Sequence, residues 1–421
     1  MLKTISRESS LSKCEISPSI YRSSVARTVE AVEALRKVWK ATTSRIDADI
    51  DFFLEFMRAH SDFVLRPHVV VLSKESLVVA ILPGRLERQS LKVRVGYKEI
   101  ALPTEYCQIT FVGQLLGEDS KEAITEVMKS IQASLRQKEA DVVFFHQVDS
   151  QESLLDTVEK VGGVLTRDYF KESEENWRTK IPGTYEAFLK CRSSNTRYNI
   201  RRYSKRLLEA FPGKVQHKVF RDTSDIQLIL RDCETVAAKS YHRGLGVGFV
   251  DNEATRQFFL QAAIQGWLRS YVLYVDGRAT AFWNGLLYRR TLLIWNTAFD
   301  AELSELRPGL YLLQRLVEDL CVDGGVRELD FGTGSAQYKR DMCDSSRLSV
   351  SKLLFAPTLK GVCVNALRSP PLAFSQAAKW ILTRSGLFEK ARKRWRSRLA
   401  ATASVEASQK VIPVAGGRND G

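Results

Sequence analysis

The order of helical and strand-like runs constrains this chain most, because one α/β succession occurs twice. From Thr28 to His60 apolar residues recur three and four apart (VEALRKVWKA, IDFFLEFMRA), the period of a helix. Strand-like runs follow at Val69 to Ser73 and Ser76 to Gly84, and then the alternating LKVRVGYKEI. A helix opened by Ser120 as cap reaches Gln137, a buried strand spans Asp141 to Val148, and a short helix ends at Gly162-Gly163. The second round has a helix over Phe220 to His242, another in ATRQFFLQAAIQGWL, and a three-strand meander turned at Asp276-Gly277 and Arg289-Arg290. It closes with the helix GLYLLQRLVEDLCVDGG, the strand RELDFG and the strand Leu348 to Phe355. Two α/β units in tandem are therefore expected, as mixed sheets flanked by helices. A chain of 421 residues also exceeds what one core usually serves.

The expected boundaries are a mobile, Ser-rich tail over 1–24, a first unit over 25–178, a second over 179–360 and a basic tail over 361–421. The polar start MLKTISRESSLSK lacks the apolar core of a secretory signal, and no apolar run reaches the ~18 residues that span a bilayer. The seven cysteines are scattered without CxxC, and the five histidines show no HxxxH or HExxH. That pattern argues against a disulfide scaffold or a metal site and fits a reduced cytoplasm.

The net charge of +14 is concentrated in two places: +7 over 190–206 and +8 over 362–400. Such segments attract phosphates of nucleic acid, lipid, or a nucleotide or CoA ligand, and charge alone does not choose among them.

Three segments carry candidate chemistry. At Arg307-Pro308-Gly309-Leu310-Tyr311 a strand passes into a helix. Pro suits the first turn, Gly admits a ligand close to the backbone, and the free amides with Arg307 make an anion site. A plain helix start is the bland alternative. Next, Glu328-Leu329-Asp330-Phe331-Gly332-Thr333-Gly334 ends a buried strand ahead of Tyr338-Lys339. Asp330 could orient or deprotonate an acceptor and Tyr338 could protonate a leaving thiolate; capping and packing are the alternatives. Neither HRDxxxxN nor a Gly-rich loop with a strand lysine accompanies this DFG, so it is no kinase motif. The third is a basic helix, where Arg197, Arg201, Arg202, Lys205 and Arg206 interleave with Tyr198 and Tyr203. It could clamp a phosphorylated substrate, meet RNA, or be a solvated face. Phe282, Trp283 and Trp295 suit a core better than a sugar platform, with Trp283 kept as a substrate contact. Lys239, in Lys239-Ser240-Tyr241-His242, is a candidate for an acceptor pocket beside the plain reading of a polar helix end.

Residues 185–345 resemble the catalytic domain of the CelD-like acetyltransferases of the GNAT superfamily, which are akin to FemAB-like aminoacyltransferases. The resemblance is carried by SSNTRYNIRRYSKRLLE, VDGRATAFWNG, AFDAELSELRPGLYLL and ELDFGTGSAQYKRDM, with the N-terminal half similar to that family's first GNAT-like unit. It implies tandem GNAT-like domains, acetyl-CoA or another acyl-CoA as co-substrate, no metal, and an amine or hydroxyl acceptor in exopolysaccharide or cell-envelope glycan synthesis. It further implies Asp330 and Tyr338 as catalytic residues facing one cleft, and Arg307, Gly309, Leu310, Tyr311 and Lys339 as donor contacts. Arg201, Arg202, Lys239 and Trp283 are then the acceptor or substrate contacts. The donor turn departs from the family's Q/R-x-x-G-x-G/A, so an aminoacyl-tRNA donor stays open, as does a non-catalytic role in polysaccharide assembly. Nucleic acid is otherwise disfavoured. At the end of the chain, Phe388, Trp395 and Leu399 form one helical stripe among six basic residues, which suits the anionic inner face of a membrane or a solvated tail.

Overall fold

The structure is a computed structural model that describes residues 20–384, apart from 96–97, 151–152, 171, 241–242, 244–247 and 335. In the first half β1 (Tyr21–Ala26) leads to α1 (Val29–Glu33), α2 (Arg36–Thr42) and α3 (Ile50–Ala59). Then come β2 (Val64–Pro67), β3 (Val69–Lys74), β4 (Leu77–Leu82), β5 (Gly84–Val95), β6 (Lys98–Val112) and β7 (Leu116–Gly117). α4 (Lys121–Arg136), β8 (Val142–Asp149), α5 (Ser153–Val161) and β9 (Glu172–Lys180) follow. The second half has α6 (Tyr185–Lys190), α7 (Ser194–Ala210), β10 (Val215–Phe220), α8 (Ile226–Ala238) and α9 (Glu253–Ile264). Its meander is β11 (Leu268–Val275), β12 (Arg278–Tyr288) and β13 (Thr291–Phe299). It ends with α10 (Pro308–Asp323), β14 (Glu328–Thr333), α11 (Gln337–Met342), β15 (Ser345–Phe355) and α12 (Leu359–Arg384).

Local chemistry sets many of these ends. Ser120 and Ser193 cap α4 and α7 by accepting from Ala123 N and Thr196 N. Asp276 and Gly277, both with positive φ, turn β11 into β12. On α4, Ile124, Val127, Ile131 and Leu135 form the buried stripe that packs on Val143 and Phe145 of β8.

Each half contains one parallel pair joined by a helix: β6–α4–β8 and β13–α10–β14. The two meet in one sheet of eleven strands, ordered β10-β11-β12-β13-β14-β9-β15-β8-β6-β5-β2, beside a four-stranded sheet β1-β3-β4-β7. The chain changes sheets at Gly84, where a Cβ would lie 2.4 Å from the Phe111 ring and 2.6 Å from the His68 carbonyl oxygen.

The units are not separable at the expected place. β9 pairs with β14 of the second half, and β15 pairs with β8 of the first. The expected boundary at 178/179 falls inside β9, because these two strands complete the sheet of both halves. Three further expectations change. The first tail gives way to β1 at Tyr21, since its residues pair with Val69–Lys74. The helix expected from Phe220 starts at Ile226, because Phe220 still pairs with Ser270 and residues 223–225 form a 3-10 turn. The basic tail expected from 361 begins inside α12. The stripe at Phe388 to Leu399 and the residues Tyr241 and His242 lie outside the described residues. Among the described residues, no helix is long and apolar enough to cross a membrane.

One face of the second half packs α6, α7, α10 and α11 through Trp283, Leu292, Leu316 and Phe331. The other carries α8, α9 and, from the first half, α3, through Phe52, Phe259 and Phe282. Tyr288 donates to Asp49 Oδ2 at 2.7 Å and fixes the two halves face to face.

Candidate active site

Two features lie near the middle of the long sheet. The first is the place where two parallel strands stop pairing. β13 and β14 are paired only over Thr291–Leu293 and Glu328–Asp330, while on its other edge β14 pairs with β9 from Glu328 to Thr333. The β13–β14 pairing ends there, and a Cβ on Gly332 would lie 3.8 Å from the Ile294 carbonyl oxygen. At the start of α10, Trp283 Nε1 donates to the Gly309 carbonyl at 3.0 Å, and a Cβ on Gly309 would lie 3.7 Å from Phe299.

Arg307 precedes α10 in a left-handed conformation, φ 53° and ψ 51°, with Pro308 in the first turn. Its carbonyl accepts from Leu310 N at 3.0 Å and Tyr311 N at 3.2 Å. Two amides expected to be free are thus already engaged, and Gly309 is the turn's open backbone position. The charge expected here is reinforced from α7. The guanidiniums of Arg307, Arg202 and Arg206 lie 5.3, 5.6 and 5.9 Å from the Tyr203 ring centre. None of the three has a carboxylate partner among the described residues. Arg201 lines a shallow groove with Lys205 and Gln314 on the same helix pair.

The second feature is a cavity of about 590 Å³ between the halves, on the opposite face of β14. Its apolar wall holds Phe52, Phe53, Phe56, Tyr288 and Trp295; its polar wall holds Arg45, Asp47, Arg85, His146, Gln147, Asn176, Arg178, Asp330 and Thr333. The guanidiniums are paired: Arg45 with Asp47, Arg85 with Glu87 at 2.5 Å, and Arg178 with Asp330 at 3.0 Å. Trp295 is 44% exposed and stacks on Phe258. It is the one of the three tryptophan and phenylalanine candidates that faces an opening, since Phe282 and Trp283 are core.

Asp330 lines this cavity and accepts from Gly332 N at 2.8 Å. Burial raises its carboxyl above the usual range, against the pull of Arg178. Tyr338 does not share the cleft. It packs edge-on against Trp283 and Phe331, at 5.5 and 6.0 Å, on the α10 side. Successive strand residues point to opposite faces, so Phe331 and its neighbour Tyr338 go one way and Asp330 the other. Lys339 is buried, and its ammonium donates to the carbonyls of Gly332 (3.2 Å) and Thr333 (2.6 Å), so it braces the strand end instead of meeting a donor anion. Burial lowers its pKa. Lys239 is engaged too, by Asp300 at 2.9 Å and Glu302 at 3.2 Å. Leu310 and Tyr311 both pack into the α10 core.

Sequence reasoning missed His146, Gln147, Asn176 and Arg178. The first two were visible as a polar pair ending the buried run DVVFF. They stand two against one opposite Ser351, where the pairing shifts between Val350 and Lys352, and Gln147 has φ 53°. This is a β-bulge, and it lets two consecutive residues line one cavity where regular alternation would send them to opposite faces.

Residues 194–340 match the family model described as an acetyltransferase (GNAT) domain. No curated protein matches the chain. Among solved structures it is similar to a tandem GNAT protein from the clavulanic acid biosynthesis pathway, at 14% identity and TM-score 0.46, over 80% of this chain and 99% of that one. It is also similar to FemX (10%, TM-score 0.48, 72% and 90%) and to L-PGS from Bacillus licheniformis (14%, TM-score 0.42, 69% and 86%). The chain is an α/β protein of two halves that share one mixed sheet flanked by helices, and the acetyltransferase (GNAT) match falls within the second half.

Proposed function

We propose that the protein moves an acyl group, with acetyl as the reference case, from a CoA thioester to a hydroxyl or amine of a glycan or glycan precursor. The donor would enter at Arg307–Tyr311, with Arg202 and Arg206 on its phosphates and its thioester where the pairing of β13 and β14 ends. Unpaired guanidiniums beside a helix start suit a polyphosphate.

The carrying observation for the acceptor is the charge balance of the cavity. Each lining guanidinium already holds a carboxylate, so the wall offers fixed donors and acceptors without a free charge. Aromatic faces on the other side complete a surface suited to a neutral, polyhydroxylated ring. Asp330 would orient the acceptor, and Tyr338, on the donor side of β14, would protonate the leaving sulfur. Most of the rate would come from holding the two reactants in line.

The test is thiol release from acetyl-CoA with methyl glycosides, sugar phosphates and amino acids as acceptors. Uncharged glycosides should give the highest turnover; preference for a charged acceptor would overturn the glycan reading. The exposed arginines of α7 favour a second reading, an aminoacyl-tRNA donor. That reading requires tRNA affinity that falls steeply with salt. The basic stretch after α12 would hold the enzyme at the inner face of the cell membrane.

A further inference from the structure

We propose that His146, supplied by the N-terminal unit, is the general base that takes the acceptor's proton in the reaction assigned to the C-terminal unit. The inference rests on the acyl-transfer reading above, and it makes the active centre a composite of both halves.

Three observations converge on this residue. His146 and Gln147 reach the cavity only through the bulge in β8, and the bulge holds Gln147 in a left-handed conformation, φ 53°. Strain of this kind persists where surrounding structure enforces it. Gln147 Nε2 donates to Thr333 Oγ1 at 3.1 Å, which brings the end of β8 against the end of β14, where its pairing with β13 has ended. The Nδ1 of His146 is buried without a hydrogen-bond partner, as is Oδ1 of Asn176, a residue only 8% exposed on the same wall. Two unsatisfied polar atoms beside one cavity fit a bound acceptor that supplies their partners.

The imidazole is also in the correct form. Burial lowers its pKa, and Arg85 adds to that, against the weaker opposite pull of Glu174, Asp47 and Glu87. Both effects favour the neutral ring, the form that can accept a proton. In the reaction the acceptor oxygen or nitrogen bonds to the thioester carbon and the carbon–sulfur bond breaks. The acceptor's proton goes to His146, and the sulfur takes one from Tyr338. Exchange with water then restores both residues. Asp330 is less suited to this step because Arg178 and the Gly332 amide occupy its oxygens.

The experiment measures acetyl-CoA hydrolysis, with water as acceptor, and acetyl transfer to methyl glycosides, in wild type, His146→Ala and His146→Gln. Both variants should lose on the order of 10²-fold in kcat for both reactions, the usual worth of a positioned base, with the Kd for CoA unchanged. The rise of wild-type kcat/KM with pH, centred below 6.5, should vanish in both. Hydrolysis within threefold of wild type in His146→Gln, or a retained pH inflection, overturns the assignment. If His146→Ala misfolds, His146→Gln decides, because it keeps the volume and polarity and removes only the basicity. A wild type that hydrolyses acetyl-CoA but acetylates no glycoside sinks the acceptor reading and leaves the hydrolysis test of His146 standing.

Discussion

Gln147 and Thr333 lie 186 positions apart in the chain and are joined by a 3.1 Å hydrogen bond from Gln147 Nε2 to Thr333 Oγ1. The bond connects the ends of β8 and β14, the second strand of each parallel pair. Gln147→Gly would release the positive φ, which stabilises, and delete a bond worth about 1 kcal/mol, which destabilises. Denaturant unfolding should therefore change by less than about 1 kcal/mol, while KM for the acceptor rises. An unchanged KM would mean that the bond only braces the fold.

Gly309→Val tests the donor turn. A Cβ at Gly309 would make ordinary contact with Phe299, and its φ lies outside the positive region, so the apo protein should melt within a few degrees of wild type. Acetyl-CoA at 100 times its Kd stabilises wild type by ~2.7 kcal/mol, and this shift should disappear in the variant. A retained shift would remove the turn as the donor site.

Asp330→Ala takes one carboxylate from the half-buried Arg178, which keeps Glu328 at 3.1 Å. With Glu328 still in place the loss is that of one charged hydrogen bond and the Gly332 acceptor, about 1–3 kcal/mol, and urea unfolding should show it. Asp330→Asn should cost less, because the amide oxygen can still accept from Gly332. Equal losses would show that charge, and not the acceptor for Gly332, sets the cost.

Acid should weaken the first half in two stages. His68 is fully buried and burial lowers its pKa to about 4, from 6.5. The unfolded chain binds that proton first, so stability falls as pH drops from 6.5 towards 4. Glu139 accepts from Arg27 and Arg66, and these bonds, Arg27 first, hold its pKa at about 2, from 4.5. Its contribution is present above pH 4.5 and is lost as pH falls towards 2. His68→Gln should flatten the upper part of the acid limb and Glu139→Gln the lower part. Unfolding curves at half-unit pH steps would separate them, and identical limbs in all three proteins would refute both assignments.

Deleting residues 385–421 should abolish flotation on anionic liposomes and leave thiol release in solution unchanged. Equal recovery of both proteins would leave the basic segment as a solvated tail.

Much of the local backbone was readable in the chain. Ser120 caps where expected, Pro308 opens α10, and Asp276-Gly277 turns the meander, because each choice depends on φ, ψ and hydrogen bonds within a few residues. The tandem order was legible for the same reason, since periodicity reports which face of an element is buried. Other features needed distant partners. That β9 and β15 serve both halves, that Asp330 and Tyr338 part to opposite faces of β14, and that Lys339 is spent on two carbonyls follow from strand pairing. The cavity draws on residues from Arg45 to Thr333, and the bulge that turns His146 into it exists only against Ser351, some 200 positions away. Sequence alone determined the elements and their caps, whose energies are local. Tertiary structure decided which polar side chains share a wall, because that is fixed by long-range β pairing.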